Sequence, residues 1–227
     1  SRPRLCRETD GNGTIVLRLL RATRSFDQPL LAYCLLSVFS VMALVTSSHA
    51  RQGWGLASRM ELPVVSVKPS HSPYTAFCKR NPGHCDMTGD AVVQLDREQE
   101  ERISKVNKEV NASVRCLFSD QLLYDEEEYW TYPTAGLGDC EDVALEKRRR
   151  LVALGLPRAA MTIAIVQVRK SLVSHAILLI ETTTGTWALD SFADEVLPWS
   201  DVPYNYEARE RIDGSWERYD QSIWVYD

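Results

Sequence analysis

Three residues have the types and order of a nucleophilic centre: Cys140, His175 and Asp190. Cys140 lies in GLGDCEDVAL, residues 136–145, after two glycines and before a helical pattern. A thiol in the first turn of a helix gains from the helix dipole and first-turn N–H groups, which favour the thiolate. Asp139, Glu141 and Asp142 oppose that ionisation, and a nearby imidazolium could tip the balance. His175 lies in SHAILLIE, where a buried strand would carry an apolar residue, and Asp190 ends the return segment WALD. With a turn centred near Thr183, residues 175 and 190 come within a register step or two. Opposite residues of such a hairpin lie roughly 5 Å apart and diagonal ones roughly 7–8 Å. Asp190 could then accept from one ring nitrogen and leave the other facing the thiol, which is the nucleophile, base and orienter of covalent acyl transfer. Singly, each residue has a plainer reading: a strand histidine satisfied in the core, an aspartate capping a turn. Together and in this order they are far more specific.

The elements that must position them can be read from pattern. Asp139 looks like an N-cap, with Asp142 in a capping-box-like relation to it. The helix runs to about Leu154, where Gly155 and Pro157 stop it. Ala144, Leu151 and Leu154 share a face with Cys140, and Arg148–Arg150 read as a solvated face near the helix C-terminus. Strands follow at Met161–Val168, Ser174–Glu181 and Thr186–Ser191, the second apolar on both faces and therefore internal. The aromatic tail reads as further strands. Upstream, Leu95, Ile103, Val106, Val110 and Val114 mark a one-sided amphipathic helix. His71–Gly89 reads as loop, and so does the acidic stretch around Trp130. Helices first and an antiparallel sheet afterwards make an α+β fold, with N-terminal helices packed on the sheet.

The chain has 227 residues and a net charge of −5. That charge argues against nucleic-acid binding through bulk charge, and a monomer is expected. Residues 1–50 hold six arginines against three acids, then an apolar run from Leu30 to Val45 ending in Ser48-His49-Ala50. This is the order of a secretory signal cleaved after Ala50, which leaves residues 51–227 as one domain in the periplasm or outside the cell. The alternative is an anchor in the inner membrane, although the run is short for a full span. Export would place the remaining cysteines in an oxidising compartment. Cys78 and Cys85, seven apart in the loop-like FCKRNPGHC, are the natural disulfide pair; two surface thiols, or a metal site with His84, are the other readings. Cys116 has apolar neighbours and reads as core, which leaves Cys140 as the thiol needing a role.

GDCEDVALEKRRRLVALGLP followed by SHAILLIETTTGTWALDS resembles the bacterial transglutaminase-like cysteine proteinases, the LapG-like group. VNKEVN (Val106–Asn111) and YWTYP (Tyr129–Pro133) match further landmarks of that family, and the resemblance runs from about Phe77 to Trp199. Two features depart from it: Ser191 follows Asp190 where the family has Asn, and the segment from Trp130 to Gly138 is short. The resemblance implies a papain-like or transglutaminase-like core with Cys140 as nucleophile, His175 as general base and Asp190 as orienter. It implies calcium held by Asp139 and Glu141, with Asp142 as a further candidate; the plainer reading is a cap and a decorated first turn. A bound dication would reverse the local field at the thiol. Trp130 could supply an indole N–H or a cleft wall, or simply pack in the core. By resemblance the substrate is a protein, in this group a surface adhesin cleaved under control of an inner-membrane receptor. A transglutaminase passing the acyl group to an amine would use the same three residues, and a non-catalytic binding module on this fold is the rival from another class.

Overall fold

The computed structural model describes residues 53–116, 120 and 124–226. The expected leader, residues 1–50, and the Cys116 side chain lie outside what is described. In chain order the elements are β1 (Val64–Lys68), α1 (Ser72–Arg80), α2 (Pro82–Cys85), α3 (Arg97–Ser113), β2 (Arg115–Cys116), β3 (Leu137–Gly138) and α4 (Cys140–Ala153). β4 (Met161–Val168), β5 (Ser174–Thr182), β6 (Gly185–Leu189), β7 (Leu197–Pro198), β8 (Tyr204–Glu210) and β9 (Trp216–Tyr219) complete the fold. Seven strands form one antiparallel sheet in the order β1-β9-β8-β4-β5-β6-β7, while β2 and β3 form a short parallel pair. The α+β expectation holds. None of the helices among the described residues is long and apolar enough to cross a membrane.

α3 starts at Asp96, whose side chain accepts from the Gln99 N–H at 2.8 Å, and it buries Ile103, Val106 and Val110 on one face. That face packs against α4, which lies on the sheet over β5. Val143, Leu145 and Leu151 of α4 meet Ile163, Leu178 and Ile180 in the larger core. On the opposite sheet face Ala164, Val166, Ile177 and Leu179 form a second core with Tyr204 and Tyr206. β5 is thus covered on both sides, which is why its sequence lacks alternation. Burying each of these valine, leucine and isoleucine side chains stabilises the fold by about 1.5–3 kcal/mol.

The β5–β6 hairpin pairs Thr182 with Gly185 and Leu178 with Leu189. Gly185 has φ +125°, and a Cβ there would stand 2.3 Å from the Ala57 carbonyl oxygen. Only glycine therefore lets the segment before β1 cross this turn. Continuing the register places Phe192 opposite His175 and Asp190 one diagonal step away, as the turn at Thr183 predicts.

Three expectations need correction. His71–Gly89 is not all loop: α1 begins with Pro73 in its first turn, a favoured position because no N–H is lost there. Ahead of it, β1 forms the outer strand beyond β9. Leu154 is 48% exposed, because it lies at the C-cap beyond the packed helix face. Arg148 is not on a solvated face but 2% exposed. Its Nη1 donates to Glu210 at 2.9 Å, and Arg158 donates to the same carboxylate at 2.7 Å. Arg149 and Arg150 both pair with Glu146, at 2.8 and 2.7 Å.

Candidate active site

Asp139 has extended backbone and precedes the first turn of α4, which begins at Cys140. Its side chain makes no capping bond. Gly138 is required just before: a Cβ there would stand 2.9 Å from the Asp142 Cβ, so only glycine admits the fold-back of that first turn. Cys140 is in no disulfide, whereas Cys78 and Cys85 are bridged. Cys140 is 7% exposed and lines a cavity of about 450 Å³ together with His175. Its thiol donates to Glu141 Oε2 at 3.1 Å.

His175 Nε2 bonds Asp190 Oδ1 at 2.7 Å. Its other nitrogen, Nδ1, is buried with no hydrogen-bond partner among the described residues. The carboxylate thus engages Nε2, and Nδ1 is the nitrogen left for other work. Asp190 also accepts from the Phe192 N–H at 3.0 Å and from the Tyr204 hydroxyl. Burial alone would raise its pKa, but the His175 charge and these donors outweigh that and hold the carboxyl below its ordinary value. The Phe192 ring stacks on the imidazole, centroids 4.2 Å apart and planes within 5°. Sequence pattern assigned no role to Tyr204 or Phe192; only the hairpin register points to the second.

The acids divide. Asp139 and Glu141 come together with Asp120, each offering a carboxylate oxygen within 4.8 Å of the others. All three are buried. Asp120 was hidden in the stretch read as acidic loop; its Oδ2 accepts from the Tyr129 N–H at 2.6 Å. Asp142 does not join them. Its Oδ1 takes the Thr131 N–H at 2.8 Å, and burial pushes its pKa up to about 9 against the pull of backbone N–H groups. Trp130 is both cleft wall and core: it lines the cavity, is 3% exposed, and meets His71 and Tyr74 edge-on at 4.8 and 5.3 Å.

Behind the site, Asn107 and Asn111 of α3 clamp the loop after β6. Asn107 Nδ2 donates to the Ala193 carbonyl at 2.9 Å, and Asn111 Nδ2 donates to the Asp190 carbonyl at 3.0 Å. Their spacing of four in VNKEVN puts both on one helix face. Lys147, two turns along α4 from Cys140, is fully buried, and Nζ has no hydrogen-bond partner among the described residues. Burial pushes its pKa down to about 7, against the opposing pull of Asp190 and Asp194. The unfolded chain therefore binds more protons than the folded one between about pH 7 and the ordinary lysine value of about 10.4, and stability rises with pH across that window. Lys147→Met should flatten this rise. Thermal melts at pH 7 and pH 10 check it: the gap between variant and wild type changes with pH if Lys147 is responsible, and stays constant if it is not.

A profile of one family, "Bacterial transglutaminase-like cysteine proteinase BTLCP", matches residues 65–223. Three solved structures are similar to this chain. Legionella pneumophila LapG shares 26% identity, covering 52% of this chain and 67% of that one, at a TM-score of 0.45. The EGTA-treated form of Legionella pneumophila LapG shares 24% identity over 54% and 73% of the two chains, at 0.44. Its calcium-bound form shares 20% identity over 69% and 87%, at 0.46. No curated protein sequence matches the chain significantly.

Proposed function

Because the chain belongs to the bacterial transglutaminase-like cysteine proteinases, we propose that it cleaves a protein substrate through Cys140, His175 and Asp190. One observation carries this reading: Cys140 and His175 line one cavity, with Nε2 of the imidazole held by Asp190 and Nδ1 unengaged among the described residues. In this reading Nδ1 takes the thiol proton, and Cys140 Sγ attacks the scissile carbonyl carbon. The Cys140 backbone N–H, in the first turn of α4, is the oxyanion donor. His175 returns the proton to the amide nitrogen as the C–N bond breaks, which leaves a thioester. Water, deprotonated by His175, then attacks the thioester, releasing the acid and restoring the thiol. Asp190 holds the ring orientation and stabilises the imidazolium without itself becoming protonated. The test is a denatured protein mixture incubated with wild type or Cys140→Ala. New N-termini should appear with wild type only. Incorporation of a labelled amine without new termini would favour the acyltransferase instead, and neither reaction would leave the binding module.

Asp120, Asp139 and Glu141 suit a hard divalent cation: three clustered carboxylates repel one another, and calcium takes oxygen ligands. We infer calcium as their ion, with loop carbonyls and water completing its shell. Its charge would draw Glu141 away from its hydrogen bond with the thiol and so favour the thiolate. One solved LapG structure is named as calcium-bound. Chelation with EGTA should lower the melting temperature by several degrees and reduce activity, and added calcium should restore both. Unchanged melting and activity would remove the ion from this account. We also infer export to an oxidising compartment, a reading the Cys78–Cys85 bridge supports. An adhesin substrate and a membrane receptor belong to the same proposal, and a comparison of surface proteins shed by wild-type and Cys140→Ser cells tests the first.

A further inference from the structure

The cavity at Cys140 extends away from the thiol across the sheet. Its floor is a single cross-strand row. Ala176 of β5 pairs with Ile165 of β4, Ile165 with Ala208 of β8, and Ala208 with Arg218 of β9. All four line the cavity. Residues directly opposite one another on paired strands share a face, so the row is a continuous track perpendicular to the strands. The two alanines give it depth, and the rings of Trp130, Trp216 and His71 form an aromatic wall. Adjacent strands lie about 4.8 Å apart, so three steps from β5 to β9 cover about 14 Å, the reach of about four extended residues.

The track is electrically polar. Glu141, at the thiol end, is bonded to the thiol, and Glu128 also lines the cavity. At the far end stand Lys68, exposed at the end of β1, and Arg218. Among the described residues Glu207 answers them, accepting from Arg218 at 3.1 Å and from Gln167 at 3.0 Å. Among the described residues, Lys68 and Arg218 against the Glu207 carboxylate leave that end positive. Arg218 also bears on His71: burial first, then the Arg218 charge, lowers that imidazole to about 4. His71 is therefore neutral at pH 7 and adds no charge to the wall.

Resting on the proteolytic reading above, we propose that this track is the substrate cleft. It takes an extended segment of a protein chain bearing an acidic side chain about four residues from the scissile bond, where Lys68 and Arg218 receive it. Length and charge select this occupant: an extended strand spans the track, and only an acidic side chain complements its outer end.

The test digests an amine-blocked, proteome-derived peptide library with wild type, Lys68→Glu and Arg218→Gln, using Cys140→Ala as the blank, in calcium. Aspartate and glutamate should be enriched three to five positions from the cleaved bond, on one side only. Lys68→Glu should lower kcat/KM for the best acidic peptide about five-fold and reduce the enrichment. Lys68 is exposed, so its variant reads recognition even if Arg218→Gln fails to fold. Wild-type cleavage without acidic enrichment overturns the proposal while leaving the protease intact, and so does enrichment that Lys68→Glu leaves unchanged. A library untouched by wild type overturns the proteolytic reading and this inference with it.

Discussion

Replacing His175 with alanine is expected to lower kcat/KM about 10,000-fold. Asp190, Tyr204 and Phe192 would all remain, but the base assigned to the thiol proton would be gone. The imidazole is held from three sides, by the Asp190 carboxylate at 2.7 Å, by the Phe192 ring stacked at 4.2 Å, and by strand β5 itself. Such fixing converts a weak general base into a positioned one. The effect should not add to that of Cys140→Ala, because the two residues act as one unit. Steady-state kinetics on a cleaved peptide measure both variants and their double. A His175→Ala loss of only a few-fold would mean that the histidine is a core residue.

The largest effect on stability is expected at Glu210, remote from the chemistry. Its carboxylate takes bonds from Arg148, Arg158, the Tyr74 hydroxyl and the Ile163 N–H, and it is 1% exposed. Burial would raise its pKa, but the two guanidinium groups lead the forces that pull it below the ordinary glutamate value. Glu210→Ala would strand two buried cations at 2% and 4% exposure. Breaking a buried pair from one side costs about 3–5 kcal/mol, which for a chain of this size lowers the melting temperature by about 10–15 °C. The sign with pH follows from the depressed value. Glu210 stabilises the fold above the unfolded glutamate value, and that contribution is lost as pH falls through the folded one. The wild-type and Glu210→Ala melting curves should therefore converge at acid pH. A variant melting within a degree of wild type at pH 7 would contradict this reading.

Much of the site was legible because it depends on local pattern. The two glycines of GLGDCED mark the start of α4, and the two-residue turn at Thr183 sets the register that brings Asp190 to His175. What escaped the sequence depends on long-range packing. Arg148, inside a run of three arginines, looks like a solvated cation; only Glu210, from β8, explains its burial. The β1 strand escaped because its partner β9 is nearly the last element of the chain. Asp120 could not be told from its acidic neighbours, since its grouping with Asp139 and Glu141 comes from loop closure. Asp142 shows the converse: the family resemblance makes this carboxylate beside the nucleophile a candidate metal ligand, yet its side chain turns to the Thr131 N–H.

The pH dependence of Cys140 alkylation by iodoacetamide, compared in wild type and His175→Ala with calcium present, tests the central claim most directly. An imidazole next to the sulfur predicts fast wild-type alkylation well below pH 8.5, the ordinary thiol value. In His175→Ala the inflection should move to about pH 8.5 or above. Superimposable profiles for the two proteins would contradict the pairing of Cys140 with His175.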